Sequence, residues 1–400
     1  MEIRKAFKFE LMPNGAQIRK MKQFCGCARF VFNEALGWQN TQYQADSTFK
    51  FSYATIANLL PSWKEKHTWL RDCHSQVLQQ SLKDLESGFR NFFQKRADRP
   101  KFKKKGSKDS FRFPQGFKLD EANSRVYLPK IGWVRYRISC FITGTVKNMT
   151  VRQKCGKWFV SIQTEQCIAC PQPTTTTAVG IDLGVVRFAT LSNGEYFEPL
   201  NSAKKLAEKL KIAQQRLSHK QKFSRNWHKE KFKVTKIHHH IANARKDYLH
   251  KISVIISKNH AMVCIEDLQV ANMSKSAKGD MATPGSMVKQ KSGLNRSILD
   301  QGWSEFRRQL DYKLTWQGAY LIAVPPKNTS ITCPACAHIS KENRKTQAVF
   351  CCVQCNFEAH ADWVGSTNVL RAGHARLACE VNGAVMPSAA GTHRGECVVQ

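Results

Sequence analysis

Segments that alternate apolar and polar residues, short apolar strands interleaved with long basic helices, and two late Cys-x-x-Cys knuckles predict a multidomain α/β chain. Its 400 residues suffice for two or three domains with cores of their own. Sixty-three Lys and Arg against thirty Asp and Glu leave a formal charge of +33. That excess exceeds what solubility requires and points to a polyanionic partner. A membrane partner is not expected, because no apolar run approaches the roughly 20 residues that span a bilayer. Charges throughout Met1–Glu10 do not suit a secretory leader. Fifteen cysteines in such a chain suit a reducing cytoplasm.

The elements follow in order. A short basic strand is expected at Ile3–Leu11. Val31, Leu36 and Trp38, then Val77, Leu78, Leu82, Leu85, Phe89, Phe92 and Phe93, recur at three- and four-residue steps and predict a helical layer with one apolar face. Arg99–Phe113 turns strongly basic with Phe interleaved, which suits backbone phosphates and stacked bases together. Lys101, Lys103, Lys104, Lys105 and Arg112 are its candidate contacts. From Ser124 to Thr164 alternation, with a turn at Cys155-Gly156-Lys157, predicts a small antiparallel β module. Pro171–Thr177, with its run of threonines, reads as a linker into a new domain.

That domain opens with a buried strand at Ala178–Leu183, continues through Val185–Leu191, turns at Ser192-Asn193-Gly194 and returns along Glu195–Phe197, a three-stranded meander. Two long basic helices are expected at about Ala203–Ser224 and Lys233–Asn259. His238, His239 and His240 occupy consecutive helical positions in the second, point in different directions and cannot share one metal. Met262–Glu266 is another buried strand, Ser274–Lys291 a mobile polar segment, Ser297–Thr315 one helix, and Gly318–Val324 a last strand stopped by Pro325-Pro326. A helix opens at Asp362; beyond Gly373 the pattern fades and a disordered tail is expected.

Two sets of residues carry chemistry. Cys333, Cys336, Cys352 and Cys355 form two knuckles fifteen residues apart, the spacing of a structural Zn²⁺ ribbon. With four thiolates on the ion no position stays open for water, and the ribbon is structural. Cys351 is a spare neighbour able to stand in for Cys352. The second set is Asp182 inside an apolar strand, Glu266 at the end of another, and Asp362 at the start of a late helix. A carboxylate in an apolar strand is costly unless a cation neutralises it. Three such acids from separate elements can hold two Mg²⁺ ions about 4 Å apart, the arrangement that phosphodiester hydrolysis uses. Strand, meander, helix, strand and helix with acids at these places is the ribonuclease H-like order.

Gly180-Ile181-Asp182-Leu183-Gly184-Val185, Ile265-Glu266-Asp267-Leu268, Leu294-Asn295-Arg296-Ser297, Gly302-Trp303, Asn328-Thr329-Ser330 before Cys333-Pro334-Ala335-Cys336, and Asp362 to Asn368 followed by Val369-Leu370 resemble the TnpB (OrfB) proteins of bacterial insertion sequences. The similarity covers nearly the whole chain and is looser in the first 120 residues. Ala337 departs from the Gly that commonly follows the first knuckle. The resemblance implies an RNA-guided DNA endonuclease related to type V CRISPR effectors, cutting double-stranded target DNA beside a short transposon-adjacent motif. Its cofactors would be two Mg²⁺ at Asp182, Glu266 and Asp362, one Zn²⁺ at the four cysteines, and a guide RNA made from the transposon end. The implied layout is a first wedge strand at 1–11, a helical recognition domain at 12–120, a small β-barrel wedge at 121–172, a RuvC-like, RNase H-fold nuclease domain at 173–372 with the ribbon at 328–358, and a tail at 373–400. Such a protein is expected in a bacterial cytoplasm, associated with the nucleoid. Tyr53, Gln76 and Gln80 are candidate base-edge contacts, since Gln pairs with adenine in the major groove and positions 76 and 80 lie one helical turn apart.

Two other functions fit parts of the pattern. A transposase would use the same three acids for strand transfer, joining ends rather than freeing them. A zinc-ribbon regulator would bind nucleic acid without catalysis, and its mark would be a lost acid; all three acids are present.

Overall fold

A computed structural model describes residues 1–281 and 283–381, which fall into two units, Met1–Ile168 and the chain from Ala169 on. The first unit runs β1 (Glu2–Met12), α1 (Gly15–Ala45), α2 (Tyr53–Ala57), α3 (Leu60–Lys66), a 3-10 turn at Thr68–Asp72, α4 (Ser75–Phe93), β2 (Ser110–Phe113), β3 (Lys118–Asp120), β4 (Arg125–Leu128), β5 (Gly132–Arg137), β6 (Thr145–Lys154) and β7 (Lys157–Cys167). The predicted alternation is visible in β7, where Trp158, Val160, Ile162 and Thr164 are buried and their neighbours are not. The seven strands form one antiparallel sheet ordered β2-β6-β7-β1-β5-β4-β3. Its apolar residues share one core with α1 and α4, around Phe24, Val31, Leu36, Leu78 and Leu82. α1 starts where a capping box permits: Asn14 Oδ1 accepts from Gln17 N at 2.9 Å while Gln17 Oε1 accepts from Asn14 N at 3.0 Å.

Two expectations change here. Within 110–120, which the implied layout puts in the helical recognition domain, lie the strands β2 and β3; Phe111 and Phe113 of β2 alternate with polar residues and insert beside β6. The sheet order is also open, with β2 and β3 at its edges and no pairing between them among the described residues, rather than a closed barrel.

The second unit continues with β8 (Ala178–Leu183), β9 (Ala189–Leu191), β10 (Tyr196–Phe197), α5 (Ser202–Lys205), α6 (Ala207–Ser218), α7 (Arg225–Asn259), β11 (Met262–Glu266), α8 (Val270–Met273), α9 (Val288–Gln301), α10 (Trp303–Thr315), β12 (Tyr320–Val324), β13 (Val349–Cys351), β14 (Glu358–His360) and α11 (Ala361–Val381). Its sheet is ordered β10-β9-β8-β11-β12, antiparallel through the meander and parallel from β8 to β12. Successive residues of β8 face opposite ways. Val179, Ile181 and Leu183 join Leu249, Ile252, Phe306 and Leu310 of α7 and α10. On the other face Met262, Cys264 and Val324 pack with Val369, Leu370 and Leu377 of α11.

The helix predicted over Ser297–Thr315 is two helices, α9 and α10, broken at Gly302 with φ +74°. The first long basic helix is likewise split into α5 and α6 and ends at Ser218, and the second starts earlier, at Arg225, capped by Ser224. α9 already begins at Val288, inside the segment expected to be mobile. α11 runs past Gly373 to Val381, where Leu377, half-buried, packs against the apolar cluster of β11 and β12; the rest of the expected tail, 382–400, lies outside the described residues. Among the described residues no helix is long and apolar enough to cross a membrane.

Candidate active site and zinc ribbon

The register of two strands places two of the acids side by side. Ile265 of β11 pairs with Ile181 of β8, so the next residues, Glu266 and Asp182, stand adjacent at the carboxyl ends of parallel strands. By period-2 alternation both point to the face that α11 covers. Asp362 lies in the first turn of α11. The helix comes this close because of glycines. A Cβ at Gly365 would sit 3.1 Å from Asp182 Oδ2, and one at Gly180 would collide with the Ser366 carbonyl and lie 2.7 Å from Leu370 N. One at Gly373 would collide with Cys264 Sγ.

Asp182 is the acid on which the charges of the other two act. Burial, followed by the charges of Glu266 and Asp362, pushes the Asp182 carboxyl up to about 7. Burial also raises Glu266, against a hydrogen bond from Thr329 Oγ1 at 2.6 Å and the charge of Arg344. Arg344 is the counter-charge: its Nη2 lies 3.7 Å from Asp362 Oδ1, and it also opposes the shift of Asp182. Such excess negative charge, in a half-buried oxygen-only donor set, fits hard divalent cations.

Two polar clamps hold these groups. Asn368 Nδ2 of α11 donates to the Thr329 and Thr332 carbonyls, both at 2.8 Å, and so fixes the threonine that binds Glu266. Asn343, fully buried, donates to Ile331 O and His338 O and accepts from Val353 N, tying both knuckle loops together next to Arg344. Arg344, Thr329 and Asn368 escape sequence reasoning. Thr329 and Asn368 lie inside recognised motifs without any signal of role, and Arg344 lies in a polar stretch between knuckles.

The four predicted cysteine sulfurs lie within 4.8 Å of one another. Cys333 and Cys355 Sγ are 3.6 Å apart, and Cys336 and Cys352 Sγ 3.5 Å. A Zn–S bond of about 2.3 Å implies tetrahedral edges near 3.8 Å, so the cage fits zinc. Cys352, not Cys351, faces the cage; Cys351 lies in the last position of β13. Phe350 and Cys352 pack with Ala361 and Val364, seating the ribbon on the start of α11. Among the described residues that metal-sized grouping is confined to the four cysteines.

Comparison with known proteins shows the family of the chain. Residues 159–277 match the family described as "Probable transposase", 303–369 the "Cas12f1-like, TNB domain", and 1–47 a "Helix-turn-helix domain". "Putative RNA-guided DNA endonuclease InsQ" of Escherichia coli (strain K12) is 54% identical over 94% of this chain and 93% of its own length. The chain belongs to the TnpB (OrfB) family. A second member, "Putative RNA-guided DNA endonuclease" of Streptomyces pristinaespiralis, is 31% identical over 94% of this chain and 91% of its own. A solved Cas12f1–sgRNA–target DNA complex aligns over 92% of this TnpB-family chain and 99% of the Cas12f1 chain, at 16% identity and a TM-score of 0.35, too distant to inform the site. Where the helix-turn-helix description matches, the structure has a strand and one 31-residue helix.

The candidate nucleic-acid contacts all lie in the first unit. Gln76 and Gln80 share one face of α4, half-buried, and Gln76 Oε1 is buried without a hydrogen-bond partner. Lys83, one turn on, lies over the Tyr53 ring at 5.5 Å. Arg112 of β2 is 3.5 Å from Asp84 of α4. Lys101, Lys103, Lys104 and Lys105 are exposed on an extended segment that Asn33 of α1 grips through Lys103 N and O, at 2.8 and 3.0 Å. Part of Lys103 is spent on packing, its Nζ lying 3.7 Å from the Phe32 ring centre.

Proposed function

We propose that this TnpB-family chain is an RNA-guided, Mg²⁺-dependent DNA endonuclease of an insertion sequence, cutting double-stranded DNA beside a transposon-adjacent motif. The observation that carries the reading is the meeting of Asp182, Glu266 and Asp362 on one covered face of a five-stranded sheet, with the Asp182 carboxyl raised to about 7. A carboxyl raised by burial and by neighbouring carboxylates marks a candidate reacting centre. The names of its relatives, which describe RNA-guided DNA endonucleases, support the same activity.

In this reading the second unit is a RuvC-like nuclease domain, and the seven-stranded sheet with its helical layer is the wedge and recognition part that holds the guide. Two Mg²⁺, when held by the three acids, would activate the attacking water and stabilise the leaving oxygen of a phosphodiester. Asp182 and Glu266 supply ligands from rigid strands. Thr329 fixes the rotamer of Glu266 through its 2.6 Å bond, and Asn368 fixes Thr329. Arg344 offers a guanidinium beside the acids, suited to a non-bridging phosphate oxygen. The ribbon, with one Zn²⁺ at Cys333, Cys336, Cys352 and Cys355, positions Arg344. Guide pairing would read sequence, while Tyr53, Gln76 and Gln80 would read the short motif and Lys101 to Lys105 and Arg112 the backbone.

The test is to express the chain with its own downstream transposon end and challenge it with a plasmid library that matches the retained RNA beside a randomised motif. Mg²⁺-dependent cuts are expected, lost in Asp182→Asn while RNA stays bound. Cutting at the wild-type rate by that variant would remove Asp182 from the site. Joined ends would instead identify a transposase, and retained RNA without cuts a regulator.

A further inference from the structure

α6 and α7 pack as a hairpin whose tip neither the acids nor the ribbon use. The connection between them carries Phe223, which is 77% exposed and has φ +67°. Left-handed backbone is an outlier for a bulky residue, and Gly or Asn would make the same turn with less strain. Capping does not need the ring, since Ser224 Oγ caps α7 by accepting from Trp227 N at 3.1 Å. The chain therefore accepts backbone strain and an apolar ring in water at one position.

The surroundings say what the ring suits. Its centre lies 5.5 Å from that of Trp227, which in turn lies 5.1 Å from His228, and Lys231 Nζ stands 4.7 Å from the Trp227 ring centre. Residues 219–232 carry Lys220, Lys222, Arg225, Lys229 and Lys231, all exposed, against a single acid, Glu230, which is paired with Lys233 at 2.7 Å. A protein interface would deplete charge around such an aromatic anchor. An acidic peptide would use the cations and leave the rings idle. A nucleotide uses both, its base on a ring face and its phosphates on the cations.

We propose that the Phe223–Trp227 tip is a stacking site for an unpaired nucleotide, with the base on Phe223 and the flanking phosphates on Lys220, Lys222 and Arg225. The site deepens the nuclease reading and rests on it for a nucleic acid being at hand. In a duplex every base is already stacked between neighbours, so the tip favours a single strand, of either the guide or the opened target.

The experiment uses the full-length chain and fluorescent RNA, single-stranded DNA and duplex DNA of equal length. Phe223→Ala is expected to weaken single-strand binding by about 5- to 150-fold, the range of one base–aromatic stack, with duplex affinity unchanged and Phe223→Trp restoring the loss. A loss on RNA places the guide at the tip, and a loss on DNA places the target there. Single strands carrying 5-bromouracil should photocrosslink within residues 219–232 in the unmodified protein. Equal affinities for Phe223→Ala and wild type, adducts confined to other segments, or a Phe223-dependent dimer would overturn the proposal. Stacking and crosslinks without DNA cutting would sustain the tip and sink the nuclease reading, whereas a wild-type chain that binds no strand sinks both.

Discussion

At the scale of single residues, the balance of charge around Asp182 decides both chemistry and stability. Three carboxylates on one covered face repel one another, and Arg344 relieves part of that repulsion from 3.7 Å. Arg344→Ala is expected to cost the metal-free protein about 1–3 kcal/mol above neutral pH, where the acids are ionised, because a partly buried charge loses its partner. Mg²⁺ should recover most of the loss, by thermal melting with and without the ion. Identical melting of variant and wild type would mean that the guanidinium does not serve the acids. The acids themselves are legible because a charged residue inside an apolar strand violates the local pattern. Arg344, Thr329 and Asn368 are not, since polar residues in polar stretches violate nothing; their meaning arises only when the ribbon folds back onto α11.

At the scale of elements, α11 and β8 make an unusually close contact. Gly180, Gly365 and Gly373 leave a smooth path on which the helix backbone approaches the sheet, and this brings Asp362 toward Asp182. Gly180→Ala would drive a methyl into the Ser366 carbonyl, and a cost of about 3 kcal/mol is expected from forced backbone movement. Denaturant unfolding of the second unit measures it, and a midpoint within error of wild type would show that α11 shifts freely. The same glycines hide the helix beyond Gly373 from its sequence pattern: small residues weaken the apolar rhythm while serving the packing. The merged helix over Ser297–Thr315 has the opposite cause, since Ile298, Leu299, Trp303 and Phe306 stay in phase across Gly302, and only its left-handed φ of +74° reveals the break.

At the scale of the whole molecule, zinc and strand order govern how the units form. Ribbon folding free energy comes largely from the metal. A strong chelator, or Cys333→Ser, is expected to lower the melting temperature of the second unit and to abolish cutting with the acids intact; unchanged melting would argue that Phe350 and Asn343 hold the ribbon alone. The boundary between the units, at Ile168–Ala169, lies beside the threonine-rich run Pro171–Thr177. Strand neighbours were not legible, because pairing β2 with β6 or β1 with β7 joins residues far apart in sequence. The position of β1 at the centre of its sheet has a consequence for biosynthesis. Both flanking strands, β5 and β7, are translated more than a hundred residues later. At about 5–20 residues per second the first strand leaves the ribosome roughly ten to thirty seconds before its last partner exists. Its charges, Arg4, Lys5, Lys8 and Glu10, then guard a bare edge against the neighbouring nascent chains of a polysome.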